Sequence, residues 1–111
     1  MNNQIDIFDL LTPNDIKSKD FREMTIEEIA DYLGEKLGVK FKYNELFEQY
    51  DAKVGKKRIL ELHLSTYLLN DERDGKPFIS AGYREPGAGG GRPCDSLEEA
   101  FSYLRKAKET A

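Results

Sequence analysis

The stretch TIEEIADYLGEKLGVKFKYN, Thr25–Asn44, decides the fold class, because the period of its apolar residues changes once and abruptly. Ile26, Ile29, Ala30, Leu33 and Leu37 recur every three to four residues, the spacing that lines one face of a helix. Thr25 followed by Glu28 is a capping box, in which a hydroxyl and a carboxylate satisfy backbone N–H groups that a helix start leaves unpaired. Gly38 stands where a helix C-terminus wants a left-handed residue. A helix is therefore predicted over 26–37. From Val39 the period is two: Val39, Phe41 and Tyr43 alternate with Lys40 and Lys42, as in a half-buried strand. A helix that runs straight into such a strand points to an α+β domain.

Towards the C-terminus, Leu46, Phe47, Tyr50 and Val54 fit neither period and are read as a strand leading into a tight connection at Gly55. In RILELHLSTY, Leu60, Leu62, Leu64 and Thr66 share one face, while Glu61, His63, Ser65 and Tyr67 share the other. The turn-forming run Asn70–Pro77, with Asp74-Gly75 at its centre, should join this strand to another over Phe78–Tyr83 as a hairpin. Glu85–Pro93, EPGAGGGRP, is expected to be a glycine-rich loop outside regular structure. A last helix should follow, capped by Ser96 with Glu99 or by Asp95 with Glu98. Its apolar stripe is Leu97, Ala100, Phe101, Leu104 and Ala107, with Arg105, Lys106 and Lys108 at its negative end.

The expected architecture is one α+β domain over residues 25–111: a three- to four-stranded antiparallel sheet with two helices packed on one face. Residues 1–24 form an N-terminal acidic and apolar extension. Its stretch IDIFDLL, Ile5–Leu11, either packs on the domain or docks in a partner groove.

The chain has 111 residues, 39% of them hydrophobic and 34% charged, in the range of a single well-solvated domain. With one cysteine, Cys94, and no long apolar run, a cytoplasmic protein is expected. The net charge of -4 is uneven. Residues 1 to 35 hold nine acids against three bases, whereas the remainder is slightly basic. That distribution argues against general coating of nucleic acid, whose affinity comes from neutralising many phosphates. It suits docking onto a basic protein surface, and the candidate contacts are Asp15, Asp20, Glu23, Glu27, Glu28, Asp31 and Glu35. A secondary, basic tip is expected from Lys53, Lys56, Lys57 and Arg58 around Gly55, which with Arg84 and Arg92 could instead touch RNA or DNA phosphates.

No catalytic, metal or cofactor residues are assigned, and an enzyme is not expected. One histidine and one cysteine supply no closed metal site or nucleophile with its base. His63, Glu61 and Ser65 spread along one strand instead of converging. Asp95, Glu98 and Glu99 oppose any activation of Cys94 by the helix start. The GAGGGRP run lacks the Walker lysine and the dinucleotide-binding glycine spacing, leaving a tight connector or a backbone surface for a partner. The helix, three strands, helix order also looks like the double-stranded RNA-binding domain. However, the lysines that grip phosphate in that family are replaced here by Asp95, Ser96, Glu98 and Glu99.

The opening MNNQIDIFDLLTPNDIK with the TIEEIADYLGEKLG helix resembles the N-terminal region of small anti-CRISPR proteins carried by phages and plasmids of Firmicutes. The tail GGGRPCDSLEEAFSYLRKA is similar to the ends of other small mobile-element proteins. The resemblance implies a protein that binds type II Cas9, or interferes with its assembly with guide RNA, and blocks DNA cleavage. It supplies no catalytic residues.

Overall fold

A computed structural model describes residues 20–67 and 75–111. After a 3-10 turn, Phe21–Glu23, come helix α1 (Ile26–Leu37) and strands β1 (Lys42–Asn44), β2 (Gln49–Val54), β3 (Arg58–Thr66), β4 (Pro77–Glu85) and β5 (Ala88–Cys94). Helix α2 (Leu97–Glu109) completes the chain. The strands form one antiparallel sheet in the order β1-β2-β3-β4-β5, a simple meander. The class is α+β as expected, but the sheet has five strands where three or four were predicted.

The local signals at both helices are realised in detail. Thr25 Oγ1 accepts from the Glu28 N–H at 3.1 Å, and Glu28 Oε1 accepts from the Thr25 N–H at 2.8 Å. Gly38 closes α1 in the left-handed region, at φ 74°, with its N–H donated to the Gly34 carbonyl. At α2 the choice between two caps falls on Ser96, whose Oγ accepts from the Glu99 N–H at 3.1 Å. The Glu99 carboxylate reaches back past the cap to the Asp95 N–H, at 2.8 Å.

The extra strand is the segment expected to be a loop. Pro86 and Gly87 make a two-residue hairpin turn, Gly87 taking φ 80°, and the next seven residues pair with β4 from Glu85↔Ala88 to Ile79↔Cys94. Glycine is a poor strand former because it orders a flexible backbone without adding side-chain packing. Here the neighbouring strand compensates. Gly82 of β4 faces Gly91 across the ladder, and a Cβ on Gly82 would lie 2.7 Å from the Gly90 carbonyl oxygen, so close backbone approach replaces side-chain contact. A sequence window sees the glycines but not the strand that holds them.

Period two places Tyr50, Ala52 and Val54, then Leu60, Leu62 and Leu64, then Ile79, Ala81 and Tyr83 on one face, with Cys94 at the edge. Both helices cover that face, Ile29, Ala30, Leu33 and Leu37 from α1 meeting Leu97, Ala100, Leu104 and Ala107 from α2. Phe21 is buried in the same core at 2% exposure, and Met24 packs against it. The core therefore begins inside the stretch 1–24 assigned to the extension. The IDIFDLL segment, Asp15 and the Asp74 half of the Asp74-Gly75 turn lie outside the described residues. Gly75 itself takes φ 69° and donates its N–H to the Tyr67 carbonyl, closing the β3–β4 hairpin.

Candidate docking surface

The uncovered face of the sheet carries a polar cluster built from three strands. Asp51 of β2 and Glu61 of β3 are directly opposite in the ladder, where two carboxylates would repel. Arg84 of β4 resolves that repulsion by ion pairing with Glu61 through Nη1 and with Asp51 through Nη2, the latter at 3.1 Å. Gln49, buried at 9% exposure, donates to Asp51 Oδ1 and Glu61 Oε2, both at 2.8 Å. Partial burial alone would lower the Arg84 pKa, but the two hydrogen-bonded carboxylates outweigh it and hold the guanidinium above its ordinary value.

This cluster anchors the β1–β2 loop. Asn44 donates Nδ2 to Asp51 at 2.8 Å, and its Oδ1 accepts the N–H groups of Leu46 and Phe47 at 2.9 and 3.2 Å. The Arg84 guanidinium lies 5.0 Å from the Phe47 ring centroid, and Glu48 holds the return of the loop in the left-handed region at φ 54°. A non-glycine residue there is uncommon and persists where surrounding contacts determine the turn. The consequence is a fixed apolar projection: Leu46 is 82% exposed, Phe47 52% and Tyr43 54%.

Helix α1 carries an acidic row. Glu27, Asp31 and Glu35 follow one another at a spacing of four along α1, all exposed. Tyr43 packs edge-on against Tyr50, with centroids 5.3 Å apart. The Tyr50 phenol is pushed up by burial first, then by the charges of Glu27 and Asp31. The Tyr43–Tyr50 pair therefore lies within electrostatic reach of Glu27 and Asp31, and Tyr43 begins the segment that carries Leu46 and Phe47.

The structure separates the other predicted contacts. Glu28 is committed to the capping box, and Asp20 caps the 3-10 turn while pairing with Arg22 at 3.2 Å. Glu23 is exposed beside that turn. The basic tip is reduced to Lys53, Lys56 and Lys57, which are exposed. Arg58 instead turns onto the helix-covered side, donating to Glu85 Oε1 and the Ala107 carbonyl, both at 2.8 Å, and to Thr110 Oγ1 at 2.6 Å. Arg84 is enclosed in the polar cluster, and Arg92 pairs with Glu99 at 3.3 Å. His63 stands opposite Ser80 on the open face, while the Glu61 carboxylate beside it is held by Arg84. Cys94 is fully buried, and burial, followed by Glu99, pushes its thiol up to about 12.

Sequence reasoning missed Asn44, Leu46, Phe47 and the Gln49–Asp51–Glu61–Arg84 cluster. The available signal was that Leu46 and Phe47 broke both apolar periods just after an asparagine, a residue whose side chain accepts backbone N–H groups two and three positions on.

Among the described residues, no three His, Cys, Asp or Glu side chains are placed to hold a metal ion, and no helix is long and apolar enough to cross a membrane. Compared with known proteins, the chain matches no family model, no curated protein and no solved structure.

Proposed function

We propose that this chain is a non-catalytic protein inhibitor from a mobile genetic element, which docks onto type II Cas9 and blocks DNA cleavage or guide-RNA assembly. The observation that carries the docking reading is the anchored, exposed apolar projection of Leu46 and Phe47, together with the exposed acidic row Glu27, Asp31 and Glu35 on α1. Exposed apolar residues beside charge of one sign suit a protein interface, in which a few desolvated anchors supply affinity and charge supplies orientation. Because α1 is acidic, the complementary partner surface is basic, and Cas9 lines its nucleic-acid channels with positive charge. The choice of Cas9 within that class rests on the resemblance of the N-terminal region to anti-CRISPR proteins.

Size-exclusion co-elution of the purified chain with Cas9, with and without guide RNA, tests the proposal beside a gel shift on guide RNA alone. Co-elution without an RNA shift is expected, and Glu27→Lys with Asp31→Lys should abolish it. An RNA or DNA shift without co-elution would replace this reading with a nucleic-acid-binding accessory protein acting through Lys53, Lys56 and Lys57.

A further inference from the structure

Away from the docking surface and sharing no residue with it, a cleft of about 580 Å³ opens between α2 and the β4–β5 hairpin. It is lined by Arg58, Tyr83, Arg92, Glu99, Tyr103 and Lys106, with Ser102 and Thr110 at its margin. On this face β5 presents Gly90 between Ala88 and Arg92, so one position of the strand opposite Tyr83 carries no side chain. A Cβ on Gly90 would touch Tyr103 Oη at 3.4 Å and Tyr83 Cε1 at 3.6 Å, so a branched residue there would displace the two tyrosines that wall the cleft.

The lining is predominantly cationic and its cations differ in how far they are committed. Glu99 is the single acidic lining residue, and both its oxygens are engaged, Oε1 by the Asp95 N–H at 2.8 Å and Oε2 by Arg92 Nη2 at 3.3 Å. That contact braces Arg92 across the cleft while leaving its side chain 54% exposed. Arg58 is fixed by three hydrogen bonds through Nε and Nη1 and lies 4.3 Å from the Tyr83 centroid. Its Nη2 carries no hydrogen bond among the described residues. Lys106 makes no ion pair among them. Burial raises the Tyr103 phenol, so at neutral pH it is an uncharged donor.

We infer that this cleft binds a small organic phosphate monoester, its dianion held by Arg92, Lys106 and Arg58 and its organic body resting against Tyr83 and Tyr103. A tetrahedral phosphate accepts from donors arriving in several directions, which suits two guanidinium groups, an ammonium and the Ser102 and Tyr103 hydroxyls. The cleft volume exceeds that of a bare anion, and the aromatic walls call for an organic group.

The test titrates ribose 5-phosphate, ribose and inorganic phosphate into the full chain, followed by calorimetry and by the thermal midpoint. Ribose 5-phosphate is expected to bind saturably at one site and raise the midpoint, at least about tenfold tighter than inorganic phosphate, with no response to ribose. Losing one charge-assisted contact weakens such binding by about tenfold or more, so Lys106→Ala and Arg92→Ala should each do so while Lys40→Ala does not. Gly90→Val should abolish binding, and the lysine and arginine variants decide the matter if that variant does not fold. Absence of binding by ribose 5-phosphate, equal affinity for inorganic phosphate, or unchanged affinity in both Lys106→Ala and Arg92→Ala would overturn the inference.

Discussion

Leu62 and Leu46 are chemically identical and occupy opposite environments, so truncating each to alanine separates what holds the fold from what the fold presents. Leu62 is at 0% exposure in the central strand, facing Tyr50 and Ala81 across its two ladders. Its neighbours Ala52 and Ala81 are too short to collapse into the space left by a missing isobutyl group. Leu62→Ala should therefore fall in the middle of the range for such cavities, about 3 to 4 kcal/mol. For a domain of this size that lowers the thermal midpoint by at least about 12 °C, at about 4 °C or more per kcal/mol. Leu46 is 82% exposed, so Leu46→Ala should change stability by less than about 0.5 kcal/mol. Urea unfolding followed by circular dichroism gives both values, and an unchanged slope would confirm that the denatured state is the same. On the proposed partner the order should reverse: losing a buried leucine anchor costs about 2 kcal/mol, or roughly 30-fold in affinity. A loss of stability below about 1 kcal/mol in Leu62→Ala would refute the placement of the core. A loss above that in Leu46→Ala would refute the exposed loop.

Three further outcomes follow from named contacts. Asn44→Ala removes the acceptor of two loop N–H groups and the donor to Asp51; it should cost about 1 to 2 kcal/mol and weaken co-elution with Cas9 although no apolar anchor is touched. Glu85 is held below the usual carboxylate range by its hydrogen bond to Arg58, so the pair stabilises the fold above the unfolded carboxyl value near 4.5 and loses that contribution as pH falls through the lowered folded value. Unfolding curves of the native chain and Glu85→Gln should accordingly differ at pH 7 and converge in acid; a constant difference would show that the pair is not coupled to protonation. Cys94, fully buried with its thiol pushed up to about 12, should react with a thiol reagent at pH 8 only when the chain opens. Labelling by dithiobis-nitrobenzoate that is as fast in buffer as in urea would contradict its burial.

The amino-acid sequence by itself determined both helices, their caps and the apolar faces of β3 and β4. These depend on contacts within a few residues: Thr25 with Glu28, Gly38 with Gly34, and Leu60, Leu62 and Leu64 at period two. It also marked the exposed acids of α1, because charge at helical spacing is visible along the chain. Only the tertiary structure decided the rest. Ala88–Cys94 is a strand because β4 offers glycine opposite glycine and lets two backbones approach, an interaction between segments with no signature in either alone. Arg58 left the basic tip because Glu85, 27 positions away, and the end of α2 supply its partners. The Leu46–Phe47 projection is rigid because Asn44 is fixed by Asp51, and Asp51 by an arginine two strands further along the sheet. Local spacing settles which element forms, whereas a surface shared by several strands depends on which partners the completed sheet brings within hydrogen-bond reach.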